Sequence, residues 1–197
     1  DHAIYGETPE TTVQITWIEQ ADTYPADGAP YSLRRPVLDL TMADGSPLPG
    51  DVMTSARIPP PVHGLGLLEA IPEDTILALA DPDDDDGDGI SGRVNRVWSV
   101  EQNEVVVGRF GWKANTPTLL QQAAAAYKDD MGISTPMFLE ADSTSEVNED
   151  TMVAAAFYTQ TLAVPRRATH DSTEVIQGED LFRSIGCAGC HTEELQT

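Results

Sequence analysis

Near the end of the 197-residue chain, Cys187-Ala-Gly-Cys190-His191 places two thiols and an imidazole within five residues. C-x-x-C-H is the attachment signature of a c-type haem. Two thiols about one helical turn apart can each bond a porphyrin vinyl group, and the adjoining His can bond the iron. Ala188 and Gly189 are small, so a porphyrin edge can come close. A thioredoxin-like C-x-x-C should follow a strand in a βαβ pattern, but here a helical pattern precedes it. A zinc site would need two more ligands, and only His2, His63 and His170 remain as imidazoles. The motif therefore reads as a haem c site with His191 as the proximal iron ligand. Attachment is enzymatic and belongs to an oxidising export compartment. Chain made in a cytoplasm can carry the motif without haem.

A second cluster, DPDDDDGDGISGRVN, spans residues 81–95 and begins with six carboxylates in eight residues. Counted from Asp84, it puts Asp84, Asp86 and Asp88 at positions 1, 3 and 5 of a Ca²⁺ loop. Gly89 falls at the sharp turn, Ile90 offers a backbone carbonyl at position 7, and Asn95 takes position 12. An amide at position 12 is a weaker ligand than the bidentate Glu of an EF-hand, so this is a Ca²⁺-type loop and not a full EF-hand. Asp81, Asp83 and Asp85 form an alternative register, with Asp86 in place of the glycine. A solvated acidic turn is the plain alternative to either.

The elements that must position these groups can be read coarsely. TTVQITWIE (11–19) alternates, with Val13, Ile15 and Trp17 on one face, and predicts a strand. RRPVLDLTM predicts a second, edge-like strand because of Pro36. Residues 57–66 should be irregular around three consecutive prolines. Helices are predicted over 72–80, over 116–132 with Thr116 as cap, over 148–165 capped by Asn148, and over 171–186. A β-hairpin is predicted over 94–110. The expected fold class is mainly α with minor β: a cytochrome-c-like helical domain preceded by an irregular region holding the hairpin and the acidic loop.

Composition narrows the function classes. Acidic residues number 33 against 11 basic ones, for a net charge of −22. That disfavours nucleic acid, whose phosphates need clustered Lys and Arg, and anionic membrane surfaces. No apolar run approaches the roughly 20 residues of a membrane helix. Docking to a basic redox partner is compatible with the charge, as is a merely soluble, self-repelling surface.

Several longer stretches carry a resemblance: RIPPPVHGLGLLEAIPEDTI, ADPDDDDGDGISGRVNRV, GRFGWKANTPTLLQQAAAAYKDDMGIS, LAVPRR and VIQGEDLFRSIGCAGCH. They resemble the di-haem oxidoreductase family of peroxidase-like and thiol oxidoreductase proteins. The resemblance implies two haem c sites in the natural protein, one upstream of the region matching AIYGETPE and one at Cys187, Cys190 and His191. It implies that residues 1–165 are the middle region of a longer protein and that 166–197 open a truncated C-terminal cytochrome c domain. It implies a periplasmic or exported setting, and a fragment inactive as a di-haem enzyme.

Within that frame, Met131 and His63 are candidate distal haem ligands. Glu69, a carboxylate in an apolar stretch, could serve as acid/base in peroxide cleavage, or could simply cap or hydrogen-bond. Trp112 could relay electrons between haems, or could be core. Arg57, Arg93 and Arg109 could pair with haem propionates. The alternatives to a redox enzyme are an electron-transfer cytochrome without substrate chemistry and a Ca²⁺-stabilised interaction module.

Overall fold

A computed structural model describes residues 11–169 and 171–197. The described chain falls into two compact units, residues 11–59 with 129–132, and residues 60–128 with 133–197.

The first unit is built on a long antiparallel hairpin of β1 (Thr11–Thr23) and β2 (Pro30–Met42). Alternation brings Val13 opposite Leu40, Ile15 opposite Leu38 and Trp17 opposite Pro36. Pro36 sits without penalty because a two-stranded ribbon has an unpaired outer edge. The turn closes through Tyr24 N–H to Ala29 O at 2.9 Å and Gly28 N–H to Tyr24 O at 2.8 Å. Glu19 accepts from Ser32 Oγ at 2.6 Å and Arg34 Nε at 2.7 Å across the ribbon. Val13, Ile15 and Trp17 stay about half exposed, so cross-strand pairing and not burial holds this hairpin.

The second unit carries α1 (Leu65–Ala70), α2 (Glu73–Ala78), the hairpin β3 (Arg96–Ser99) and β4 (Glu104–Val107), then α3 (Leu119–Met131), α4 (Glu149–Thr161) and α5 (Thr173–Ser184). The end of α3 falls in the 129–132 segment of the first unit. A small core gathers Ile71, Val107, Phe110, Leu119, Ala124, Met152 and Ala156. Polar side chains lock its pieces. Gln121, buried on α3, accepts from Val100 N–H at 2.9 Å and donates to Trp98 O at 3.1 Å, tying α3 to the β3–β4 hairpin. Arg109 donates to Leu68 O at 3.2 Å and Ile71 O at 2.6 Å, closing the end of α1. Ser134, fully buried, donates through its N–H to Glu146 at 2.8 Å and through its hydroxyl at 3.1 Å. These bonds, with Lys128 nearby, hold the Glu146 carboxyl below its usual pKa.

Two sequence expectations are corrected here. The fold is not mainly α: among the described residues helix makes up 28% and strand 21%, in five helices and two small sheets. The cytochrome-like helical reading underestimated the first hairpin, whose pairing runs through thirteen residues on each strand. It also overestimated the helices, each of which is shorter at both ends than its predicted span. The second correction is the cap of α3. Thr116 is drawn into a bridge with Phe110, whose N–H donates to Thr116 O at 2.9 Å. Thr118 caps instead, its hydroxyl accepting from Gln121 N–H at 3.1 Å. Asn148 does cap α4, accepting from Thr151 N–H at 2.8 Å.

Gly66 lets α1 lie directly on α4: a methyl group at this position would come within 2.1 Å of the Gln160 carbonyl oxygen. The neighbouring Gly64 N–H donates to Leu162 O at 2.8 Å, so the two backbones are bound as well as close. A Gly66→Ala variant should therefore be destabilised by about 1–3 kcal/mol, the usual range for overpacking. Equilibrium urea unfolding checks this, and an unchanged midpoint would show that the helices do not meet in this way.

Candidate functional site

The attachment motif emerges from the end of α5. Ser172 caps that helix by accepting from Val175 N–H at 3.3 Å. Gly186 then takes a left-handed backbone, φ +89°, and a 3₁₀ turn follows over Cys187–Gly189. The Cys187 carbonyl accepts from Cys190 N–H at 3.2 Å and from His191 N–H at 3.0 Å. Both thiols are free; Cys187 is half-buried and Cys190 exposed. His191 is exposed on the same turn, and its ring meets the edge of Phe182 at a centroid distance of 5.7 Å.

The segment after His191 is pinned back to α5. Arg183 forms a two-pronged ion pair with Glu193, Nε to Oε1 at 2.6 Å and Nη2 to Oε2 at 3.0 Å. The guanidinium holds the Glu193 carboxyl below its ordinary pKa. A cavity of about 550 Å³ opens alongside, with Ala78 and Leu79 on one side and Thr192 and Leu195 on the other. It is a shallow, open depression that none of Cys187, Cys190 and His191 lines. The donor set fits haem c: two thiols separated by one turn, an imidazole directly beyond, and all three partly or fully accessible.

The acidic loop is closed by a bridge between Asp81 and Gly92, with Asp81 N–H to Gly92 O at 3.0 Å. Asp84 and Asp86 converge with Asp81, one carboxylate oxygen of each lying within 4.8 Å of the others. Asp81 is the member that the register from Asp84 passed over; its signal was the spacing 81, 84, 86 across a turn, and not strict alternation. Asp88 is not in that group; its Oδ1 accepts from Ile90 N–H at 2.7 Å. Asn95 directs its amide to Lys113 O at 3.0 Å and Ala114 O at 3.1 Å.

The remaining candidates are dispersed. Glu69 accepts from Leu119 N–H at 2.7 Å with one oxygen and from Gln160 Nε2 at 2.6 Å with the other. It thus joins α1 to the start of α3 and to α4, where a carboxylate also suits the helix N-terminus. It lines an open cavity of about 370 Å³ with Glu101, Thr118, Val153 and Phe157. Trp112 is exposed in the 111–114 turn. Met131, partly exposed, ends α3 in the 129–132 segment of the first unit, whereas Cys187, Cys190 and His191 belong to the second. His63 is exposed, Arg57 bonds Ser55, and Arg93 donates to Pro82 O. His2 and His170 lie outside the described residues. Among the described residues no helix is long and apolar enough to cross a membrane.

Comparison with known proteins adds one finding. A family model described as "Di-haem oxidoreductase, putative peroxidase" matches residues 4–146 and, again, 139–197. No curated protein and no solved structure matches the chain. Because the two matches together span nearly all of the sequence, the attachment turn and the acidic loop included, the chain belongs to the di-haem oxidoreductase family.

Proposed function

We propose that this chain forms part of an exported c-type redox enzyme that reduces a peroxide, with one haem covalently held at Cys187 and Cys190 and ligated by His191. The observation that carries the reading is the single turn that presents both free thiols and the imidazole together. Both cysteines of the sequence lie in that motif, so these residues provide for one covalent haem.

Each residue then has a definite task. Cys187 and Cys190 bind, and so fix the cofactor in one orientation. His191 is steered by its backbone bond to Cys187 and by the Phe182 ring edge. The Arg183–Glu193 pair keeps the following segment from swinging over the imidazole. Haem, when bound, supplies the electron-transfer chemistry by which peroxide is reduced: H₂O₂ + 2e⁻ + 2H⁺ → 2H₂O. The electrons come from a reduced partner, and a net charge of −22 favours a basic one, with association that weakens as salt rises.

The acidic loop serves this reading as a structural Ca²⁺ site built from Asp84 and Asp86 with Asp81. Three converging carboxylates are the hard oxygen donors that Ca²⁺ takes. An ion there offsets their mutual repulsion and fixes the approach to the β3–β4 hairpin. Ca²⁺ at a hundred times its dissociation constant should stabilise the protein by about 2.7 kcal/mol. Asp86→Ala and Asp81→Ala should abolish most of that gain in thermal melts and the heat of Ca²⁺ uptake in calorimetry. Uptake undiminished in both variants would remove the site.

For the enzyme itself, protein matured with haem-attachment machinery and given a reduced donor should consume hydrogen peroxide. The Cys187→Ala/Cys190→Ala double variant should lose that turnover, and undiminished turnover by the variant would contradict the reading. Absorbance at 240 nm (the peroxide band) follows the reaction directly.

A further inference from the structure

The attachment turn touches a part of the molecule far from it in sequence. A methyl group placed at Gly189 would lie 2.9 Å from Ile90 Cδ1 and 3.5 Å from Asp88 Oδ2. The middle of the C-A-G-C-H turn therefore rests against the far end of the acidic loop. A Cβ at Gly189 would crowd the terminal methyl of Ile90, which would have to turn aside to admit it.

The loop end is braced for the contact. Ile90 is half-buried, and its N–H donates to Asp88 Oδ1 at 2.7 Å. That bond orients Asp88 so that its other oxygen lies beside Gly189. Gly89 N–H donates to Asp84 Oδ1 at 3.0 Å, and the Asp81–Gly92 bridge closes the base of the loop. Ile90 is thus presented on a fixed scaffold and not on a loose tip.

We propose that Ile90 is the seat of the haem-attachment turn and that Asp88 is the fixed charge beside it. Ile90 sets the spacing of Cys187 and Cys190 by bearing on the residue between them. The Asp88 carboxylate, beside the turn that would hold the haem, would favour the more positive, oxidised iron and so lower the reduction potential. Both are positioning residues acting through the turn. The part given to Asp88 rests on haem attachment at Cys187 and Cys190; the seating of the turn by Ile90 does not.

A pair of variants tests the seat in haem-free protein. Gly189→Ala should raise the alkylation rate of Cys187 and Cys190 severalfold, because the added methyl turns the Ile90 side chain aside and loosens its hold on the turn. Ile90→Ala should also raise it, and Ile90→Val should stay near the parent rate. Gly189→Ala combined with Ile90→Ala should restore a rate close to that of the parent, since the smaller residue makes room for the methyl. Simple additivity of the two changes, with circular dichroism unchanged, would overturn the seat. In haem-loaded protein, Asp88→Asn should shift the midpoint potential upward while Asp85→Asn, likewise exposed but not beside Gly189, moves it less. Equal shifts in the two variants would overturn the role of Asp88. Parent protein that takes up no haem at the two cysteines would refute the attachment reading and the Asp88 role with it, whereas the alkylation cycle would still decide the seat.

Discussion

The carbonyl oxygen of Cys187 accepts two hydrogen bonds, from Cys190 N–H and from His191 N–H. Through them a stretch of five residues is folded into one turn, and two thiols and an imidazole share its surface. An extended chain would spread the same three side chains over more than 10 Å, at roughly 3.3 Å per residue. Neither thiol could then serve the same porphyrin edge as the other. The chemistry assigned to the protein therefore depends on a local backbone arrangement, and a few named contacts around the turn brace it.

That bracing comes from three directions. Behind the turn, α5 ends at Ser184 and supplies Phe182 against the imidazole. Beyond it, Arg183 and Glu193 hold the outgoing chain. Beside it stands the end of the acidic loop, with Ile90 and Asp88 against Gly189. The core that supports these pieces is small, and side-chain hydrogen bonds do much of the joining. Glu69 is the clearest case, one carboxylate that reaches α3 and α4 from α1. Leaving the part-buried Leu119 N–H without its acceptor would cost about 1–3 kcal/mol, whereas the exposed Gln160 amide can turn to water. In a chain with so little apolar burial, such polar joints carry a large share of the tertiary specificity.

What could be read from the sequence was mostly local. The C-x-x-C-H motif, the cap Asn148 and the β3–β4 hairpin follow from spacing and from residue types whose preferences act over a few positions. The long family-like stretches were equally visible, and the family match confirms what they resemble. Failures arose where distant partners decided the outcome. Thr116 and Thr118 are both plausible caps, and only the bridge to Phe110 chooses between them. The short helix α1 has no side-chain cap and follows a proline run; it is held by Gly66 on α4 and by Arg109. The helical emphasis was wrong because the two alternating stretches show where strands begin but not that they extend and pair through thirteen residues on each side. The meeting of Gly189 with Ile90 had no local signal at all, since nothing in either segment names the other.

The most direct measurement is the mass of the peptide released after Arg183, residues 184–197, from protein matured with haem-attachment machinery. This peptide contains Cys187, Cys190 and His191 and no further Lys or Arg. The account requires it to carry the mass of one haem, with both thiols resistant to alkylation under denaturing conditions. A peptide of unmodified mass whose two cysteines both alkylate would contradict it.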